Sequence, residues 1–71
     1  MTKNQKHYIL TDQNEKAVVG DKILVKYGNS INEYVIDNLS NDCLYLKLSE
    51  RYSYFWVSLA EIIVIEILEK C

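Results

Sequence analysis

Apolar residues dominate the last third of the chain. In residues 54–68, twelve of fifteen positions are hydrophobic or aromatic. A strand with one solvated face alternates apolar with polar residues, and this segment hardly does so. We therefore expect the segment to form the centre of a closed barrel or to be covered in part by another molecule.

Short runs of β-branched and aromatic residues along the chain predict five or six strands. The predicted strands are residues 7–10, 22–27, 32–39, 43–48, 52–57 and 63–68. The third and fourth pair as a hairpin, in which Leu44, Leu46 and Leu48 share the face toward the core. Clusters of Thr, Asn, Asp and Ser supply the turns, because the chain has no proline and only two glycines.

The segment before the last strand is compatible with two structures. Ser58 and Glu61 have the spacing of a capping box, in which both side chains bond free amides at the start of a helix. Either a single helical turn precedes the strand, or a helix runs over residues 59–70. The β-branched residues that follow, and the apolar residues on all sides, favour the turn and the strand.

This order of elements resembles the SH3-like small β-barrel over residues 18–68. The resemblance implies an all-β fold of five to six antiparallel strands, with one short helical turn before the last strand. The length of 71 residues predicts a single domain over residues 1–71, with residues 1–6 disordered at its start. The fold does not imply one function, since many unrelated functions share this barrel.

A second similarity lies in the sequence LTDQNEKAVVGDKILV at residues 10–25. It resembles the opening of YopX-like phage and prophage proteins, which have a D-x-N-x-x-x-hydrophobic-x-x-G-D-hydrophobic pattern. The chain departs from that pattern at Glu15, where the family usually has a turn glycine, and at Lys22, where it prefers an apolar residue. The resemblance implies a phage or mobile-element origin, and an accessory or inhibitory protein that binds a host protein.

Charge and cysteine content change this picture little. A net charge of −2 counts against a nucleic-acid binder, because such proteins usually carry a basic surface. Cys43 and Cys71 allow at most one disulfide, and two unpaired thiols are typical of a reducing compartment. Without a secretory signal or an apolar run long enough to span a membrane, the chain is expected in the cytoplasm.

Catalytic and metal-binding chemistry receives little support. His7 is the only histidine, there is no C-x-x-C pair, and no serine or cysteine lies in a nucleophile motif. Glu33 and Asp37 share one strand, where carboxylates are usually solvated charges rather than an acid and base pair. We predict a protein that is not an enzyme and that has neither a cofactor nor a metal site.

The aromatic residues are the candidate binding groups. Tyrosine and tryptophan offer a large contact area with a polar tip, and with arginine they dominate binding hot spots. The predicted partner-binding residues are Tyr45, Arg51, Tyr52, Tyr54 and Trp56. In an alternative use, bases of a nucleic acid stack on these tyrosines while Lys26, Lys47 and Arg51 contact phosphates in an Sm-like ring. A third alternative is that Trp56 completes the core.

A surface for self-association is predicted in the last strand. If Ile63, Ile65 and Ile67 face inward, the neighbouring aliphatic residues form an exposed patch, and such patches mark interfaces. The predicted interface residues are Leu24, Ile62, Val64 and Leu68. The alternative is that residues 8–10 fold over the patch. The sequence thus predicts a non-enzymatic protein-interaction module that forms homo-oligomers and binds another protein.

Overall fold

The computed structural model describes residues 8–71, and strands make up nearly all the regular structure in that range. They are β1 (Ile9–Leu10), β2 (Lys16–Ala17), β3 (Lys22–Tyr27), β4 (Ser30–Leu39), β5 (Tyr45–Glu50), β6 (Ser53–Ser58) and β7 (Ile62–Glu69). A 3-10 turn, Leu59–Glu61, separates β6 from β7. The prediction of an all-β fold is confirmed.

The strands form two antiparallel sheets. β1 and β2 form a small sheet, and the other strands form a larger one in the order β6-β5-β4-β3-β7. β3 to β6 follow one another as a meander, and β7 returns to pair with β3. Within the described residues no ladder joins β6 to β7, so the larger sheet stays open instead of closing into the predicted barrel.

Five of the predicted strands match β3 to β7, with ends that differ by at most two residues. The predicted hairpin is confirmed, because β4 pairs antiparallel with β5. Leu46 and Leu48 of that hairpin are buried as predicted, whereas Leu44 is exposed because it still belongs to the turn before β5. β2 was not predicted. His7 and residues 1–6 lie outside the described part of the chain.

The 3-10 turn begins at Ser58. The Ser58 hydroxyl accepts a hydrogen bond from the Ala60 N–H at 3.1 Å, and the backbone is extended again at Ile62. The prediction of one turn followed by a strand is confirmed, and the alternative helix over residues 59–70 does not form. The β-branched residues of β7 explain this outcome, since their stiff side chains fit a strand better than a helix.

The core lies on one face of the larger sheet, and the small sheet adds to it. It consists of Ile9, Ala17, Ile23, Val25, Tyr34, Ile36, Leu39, Leu46, Leu48, Val57, Ile62 and Val64. The rings of Tyr34 and Phe55 meet edge to face, with centroids 5.4 Å apart. Side chains from all seven strands therefore converge on one small core, which makes the opposite face of the larger sheet the outer face.

The faces predicted for the first half of β7 are wrong. Ile62 and Val64 are only 9% and 6% exposed, whereas Ile63 is 49% exposed. Two residues that were predicted to form an interface between copies therefore belong to the core of one chain.

A bulge then changes the alternation in the middle of β7. Val25 lies opposite Val64, but the next residue, Leu24, lies opposite Glu66, so that Ile65 is an extra residue. Such a bulge shifts the following side chains to the other face of the strand. Beyond it, Ile67 packs against the core. No single alternating pattern describes this strand.

The N-terminal segment covers the buried part of β7. The Asp12 N–H donates to the carbonyl oxygen of Val64 at 2.7 Å. Residues 8–10 line a cleft together with Ile62 and Val64. Of the other predicted interface residues, Leu24 is half-buried and Leu68 is exposed. The four residues do not form one exposed surface, and the alternative in which residues 8–10 fold over the patch describes the chain.

Asp21 ties the start of β3 to the residues after β7. Its side chain is fully buried and accepts hydrogen bonds from Val18 N–H (3.0 Å), Cys71 N–H (2.8 Å) and the Lys70 ammonium (3.0 Å). Burial alone would raise the pKa of Asp21, but the two backbone hydrogen bonds and Lys70 outweigh it and lower the pKa. We name this group of contacts the Asp21 junction.

Candidate functional site

The hairpin of β5 and β6 positions the aromatic candidates on the outer face of the larger sheet. Because Leu46 and Leu48 point into the core, the alternate residues Tyr45 and Lys47 point outward. The register places Trp56 of β6 opposite Lys47, and Tyr54 opposite the outward residue Ser49. We name this surface the aromatic face; it consists of Tyr45, Lys47, Tyr54 and Trp56.

Lys47 lies in the middle of the aromatic face and is held from two sides. Its ammonium group lies 5.2 Å from the centroid of the Tyr54 ring and 3.5 Å from the Asp37 carboxylate. An exposed cation–π contact and a surface ion pair each contribute at most about 1 kcal/mol. The Asp37 carboxylate offsets the charge of the lysine, and the Tyr54 ring holds its ammonium group over the aromatic face.

The structure brings together three of the five predicted partner-binding residues. Tyr45, Tyr54 and Trp56 are 49%, 59% and 50% exposed on one face. Trp56 thus does not complete the core. Arg51 and Tyr52 form the turn between β5 and β6 and stand at the end of the aromatic face rather than on it. Tyr52 is almost fully exposed.

The turn at Arg51 has an unusual backbone. Arg51 has a φ of +55°, a left-handed conformation that glycine or asparagine usually adopts in a two-residue hairpin loop. No glycine or asparagine marks this turn in the sequence. The uninterrupted pairing of β5 with β6 on either side imposes the conformation on Arg51. The turn at Arg51 thus closes the hairpin in the register that places Trp56 opposite Lys47.

The rest of the outer face carries balanced charges. Lys22 lies 3.2 Å from Glu33, and both line a shallow cleft of about 680 Å³ over β4 that also contains Leu24 and Val35. Glu66 of β7 lies opposite Leu24 on the same face. The ion pairs offset the charges of Lys22 and Lys47 beside the aromatic face. The centre of this surface therefore offers apolar contact more than attraction for an anion.

The carboxylates considered for catalysis have other contacts. Glu33 pairs with Lys22, and Asp37 pairs with Lys47. Among residues 8–71, no group of three or more His, Cys, Asp or Glu side chains is arranged to hold a metal ion. His7 lies outside that range.

The Asp21 junction is the feature that sequence reasoning missed. The only signal was a Gly-Asp pair before a strand, which predicts a turn but not a buried carboxylate.

Comparison of the chain with protein-family models, with curated proteins and with solved structures gave no match. Residues 8–71 contain no helix that is both long and apolar enough to cross a lipid bilayer. What the aromatic face binds must be inferred from its own chemistry.

Proposed function

We propose that the chain is a non-enzymatic protein-interaction module that binds a partner protein through the aromatic face. The observation that supports this function is the cluster of three half-exposed aromatic residues, Tyr45, Tyr54 and Trp56, around the neutralised Lys47. Aromatic side chains bury a large area and lose little conformational entropy on binding, which makes them the usual hot spots of interfaces. Arg51 and Tyr52 extend the surface at its end.

The charges favour a protein over a nucleic acid as the partner. Binding to phosphates requires cations that are available to replace counterions. Lys22 and Lys47, two of the outward lysines, already lie beside Glu33 and Asp37. We expect a partner that offers apolar side chains to the rings and hydrogen-bond acceptors to the tyrosine hydroxyls. Binding of a nucleic acid in an Sm-like ring stays the alternative prediction.

The fold and origin implied by the resemblances are part of the proposal. We propose that the larger sheet is an open relative of the SH3-like small β-barrel, supported by the meander of β3 to β6, the 3-10 turn and the return of β7 to β3. The YopX-like segment contains Gly20, whose φ of +100° fits the turn that launches β3. A phage or mobile-element protein that acts on a host protein in the cytoplasm is the role this similarity supports.

Capture of the partner tests the function. The immobilised chain and its Trp56→Ser variant are incubated with an extract of the native host, and bound proteins are quantified by mass spectrometry. Loss of a hot-spot aromatic costs about 2 kcal/mol or more, so recovery of the partner should fall roughly thirtyfold. Tyr27→Ser is the matched control, because Tyr27 is an exposed tyrosine on a different hairpin.

Equal recovery by the wild type and the Trp56→Ser variant would contradict the proposal. Titration of labelled single-stranded RNA and DNA at low salt tests the alternative. Binding that weakens with salt, and that is lost when Tyr45 and Lys47 are both replaced by alanine, would assign the aromatic face to nucleic acid.

A further inference from the structure

β6 is an edge of the larger sheet with backbone groups that face outward. Among residues 8–71 it pairs only with β5. The Ser40 N–H donates to the Tyr45 carbonyl at 3.0 Å, so Tyr45 and every second residue after it on β5 turn their backbone groups toward β4. The residues opposite these positions include Tyr54 and Trp56. In an antiparallel pair, the N–H and C=O groups of Tyr54 and Trp56 then point away from β5, toward the open edge of β6.

β6 lacks the features by which proteins usually block an open edge. Its sequence, SYFWVS, has no charged residue, no proline and no glycine, and its register with β5 contains no bulge. Exposed edges are normally protected by charges, by proline, by bulges or by a covering segment.

The opposite edge, β7, shows how this chain protects an edge. It carries Glu66 and Glu69, its pairing with β3 shifts register twice, and the Val64 carbonyl accepts a hydrogen bond from Asp12. The contrast between the two edges singles out β6 as a strand available for pairing.

We propose that β6 pairs antiparallel with β6 of a second copy of this chain and joins the two larger sheets into one. With Phe55 on the twofold axis, Tyr54 of each copy lies opposite Trp56 of the other, and their outward backbone groups bond to each other. Aromatic residues on facing strands stabilise such pairs. An interface of this kind is isologous, as in most homodimers.

The charges at the ends of β6 favour the antiparallel arrangement of two copies. Arg51 lies just before β6 and Glu61 lies shortly after it, and both are exposed. Antiparallel pairing brings Arg51 of one copy to the end where Glu61 of the other lies. Parallel pairing would place the two Arg51 side chains together, where like charges repel. The positions of Arg51 and Glu61 thus favour the antiparallel arrangement over the parallel one.

The pairing goes beyond the proposed function and does not depend on it. It uses the backbone of β6, while the side chains of Tyr54 and Trp56 stay on the outer face. The two aromatic faces become neighbours in the dimer, which doubles the surface offered to a partner. A failure to dimerise and a failure to bind a partner are therefore separate results.

Two substitutions at one position test the backbone pairing. Tyr54→Pro removes the outward N–H but none of the bonds to β5, since proline is tolerated where the N–H of an edge strand faces solvent. Tyr54→Ser removes the ring and keeps the N–H. In sedimentation velocity over a wide concentration range, the wild type should dimerise, and Tyr54→Ser should still dimerise but more weakly, because it loses the contacts between rings. Tyr54→Pro should associate at least tenfold more weakly than Tyr54→Ser. Far-UV circular dichroism and a cooperative thermal unfolding transition establish that each variant is folded.

Hydrogen exchange of the wild type gives a second readout that needs no variant. The Tyr54 and Trp56 amides should become more protected as protein concentration rises. A wild type that stays monomeric, or a proline variant that dimerises as well as the wild type, would overturn the proposal. So would β6 amides that become protected only when a purified partner is added, since the edge would then receive a segment of that partner.

Discussion

Replacing Asp21 by alanine should destabilise the fold by about 2–4 kcal/mol. The Val18 and Cys71 N–H groups would each lose an acceptor, at about 1 kcal/mol per hydrogen bond because both residues are exposed and water can reach them. The bond from Lys70 adds at most about 1 kcal/mol, since its side chain is 60% exposed and solvent screens the pair. The space left by the buried carboxylate adds a smaller cost.

Urea unfolding at pH 7, followed by the fluorescence of Trp56, measures this loss. Trp56 is the only tryptophan, so the signal comes from one position. A domain of this length has a free energy of unfolding of roughly 4–10 kcal/mol, of which the expected loss is a large part. Asp37→Ala is the control, because Asp37 is exposed and pairs with Lys47; its effect should stay below about 1 kcal/mol.

The pH dependence of the same measurement identifies the carboxylate as the cause. The pKa of Asp21 is lowered in the folded state from its ordinary value of 3.8. Its contribution to stability is therefore complete at pH values well above 3.8, and is lost as the pH falls through the folded-state pKa. The stability difference between the wild type and Asp21→Asn should shrink over that acidic range. Equal stability of the wild type and Asp21→Ala at pH 7 would refute the reasoning.

Two further predictions concern Gly20 and β7. Gly20→Ala should cost about 1–3 kcal/mol in thermal unfolding, because φ is +100° and the new Cβ would lie 2.7 Å from the Cys71 Sγ. Gly28→Ala, with a φ of +65° and open space around it, should cost about 1 kcal/mol, and an equal loss in both variants would argue against the close contact. Val64→Glu should lower the free energy of unfolding by about 3 kcal/mol or more, because it buries an unpaired charge, and thermal unfolding followed by circular dichroism measures the loss. Ile63→Glu should keep the stability of the wild type. A larger loss in Ile63→Glu than in Val64→Glu would instead support the faces predicted from the sequence.

The types of the elements were predictable because they depend on local composition. Residues 22–27 alternate and lack breakers, so β3 was predicted with both of its ends. The faces of β7 were not predictable, since the bulge at Ile65 arises from pairing with a distant strand. Alternation alone predicts Leu44 in the core, because the pattern does not show where the turn before β5 ends.

The aromatic face was largely predictable, and the contacts that hold it were not. Alternation along a hairpin is enough to bring Tyr45, Tyr54 and Trp56 to one side. The ion pair of Lys47 with Asp37 depends on the register in which β4 pairs with β5, which no local pattern shows.

The pairing of β3 with β7 sets the order in which the molecule can assemble during synthesis. The other pairs of the larger sheet join consecutive strands and can form as hairpins while the chain leaves the ribosome. β3 must wait for a strand made about forty residues later, and Asp21 must wait for Lys70 and Cys71. A chain in which β7 has not yet paired exposes β3 and β6 as two bare edges of the larger sheet, a condition that invites aggregation. The speed with which β7 pairs with β3 should therefore influence how much of the protein stays soluble.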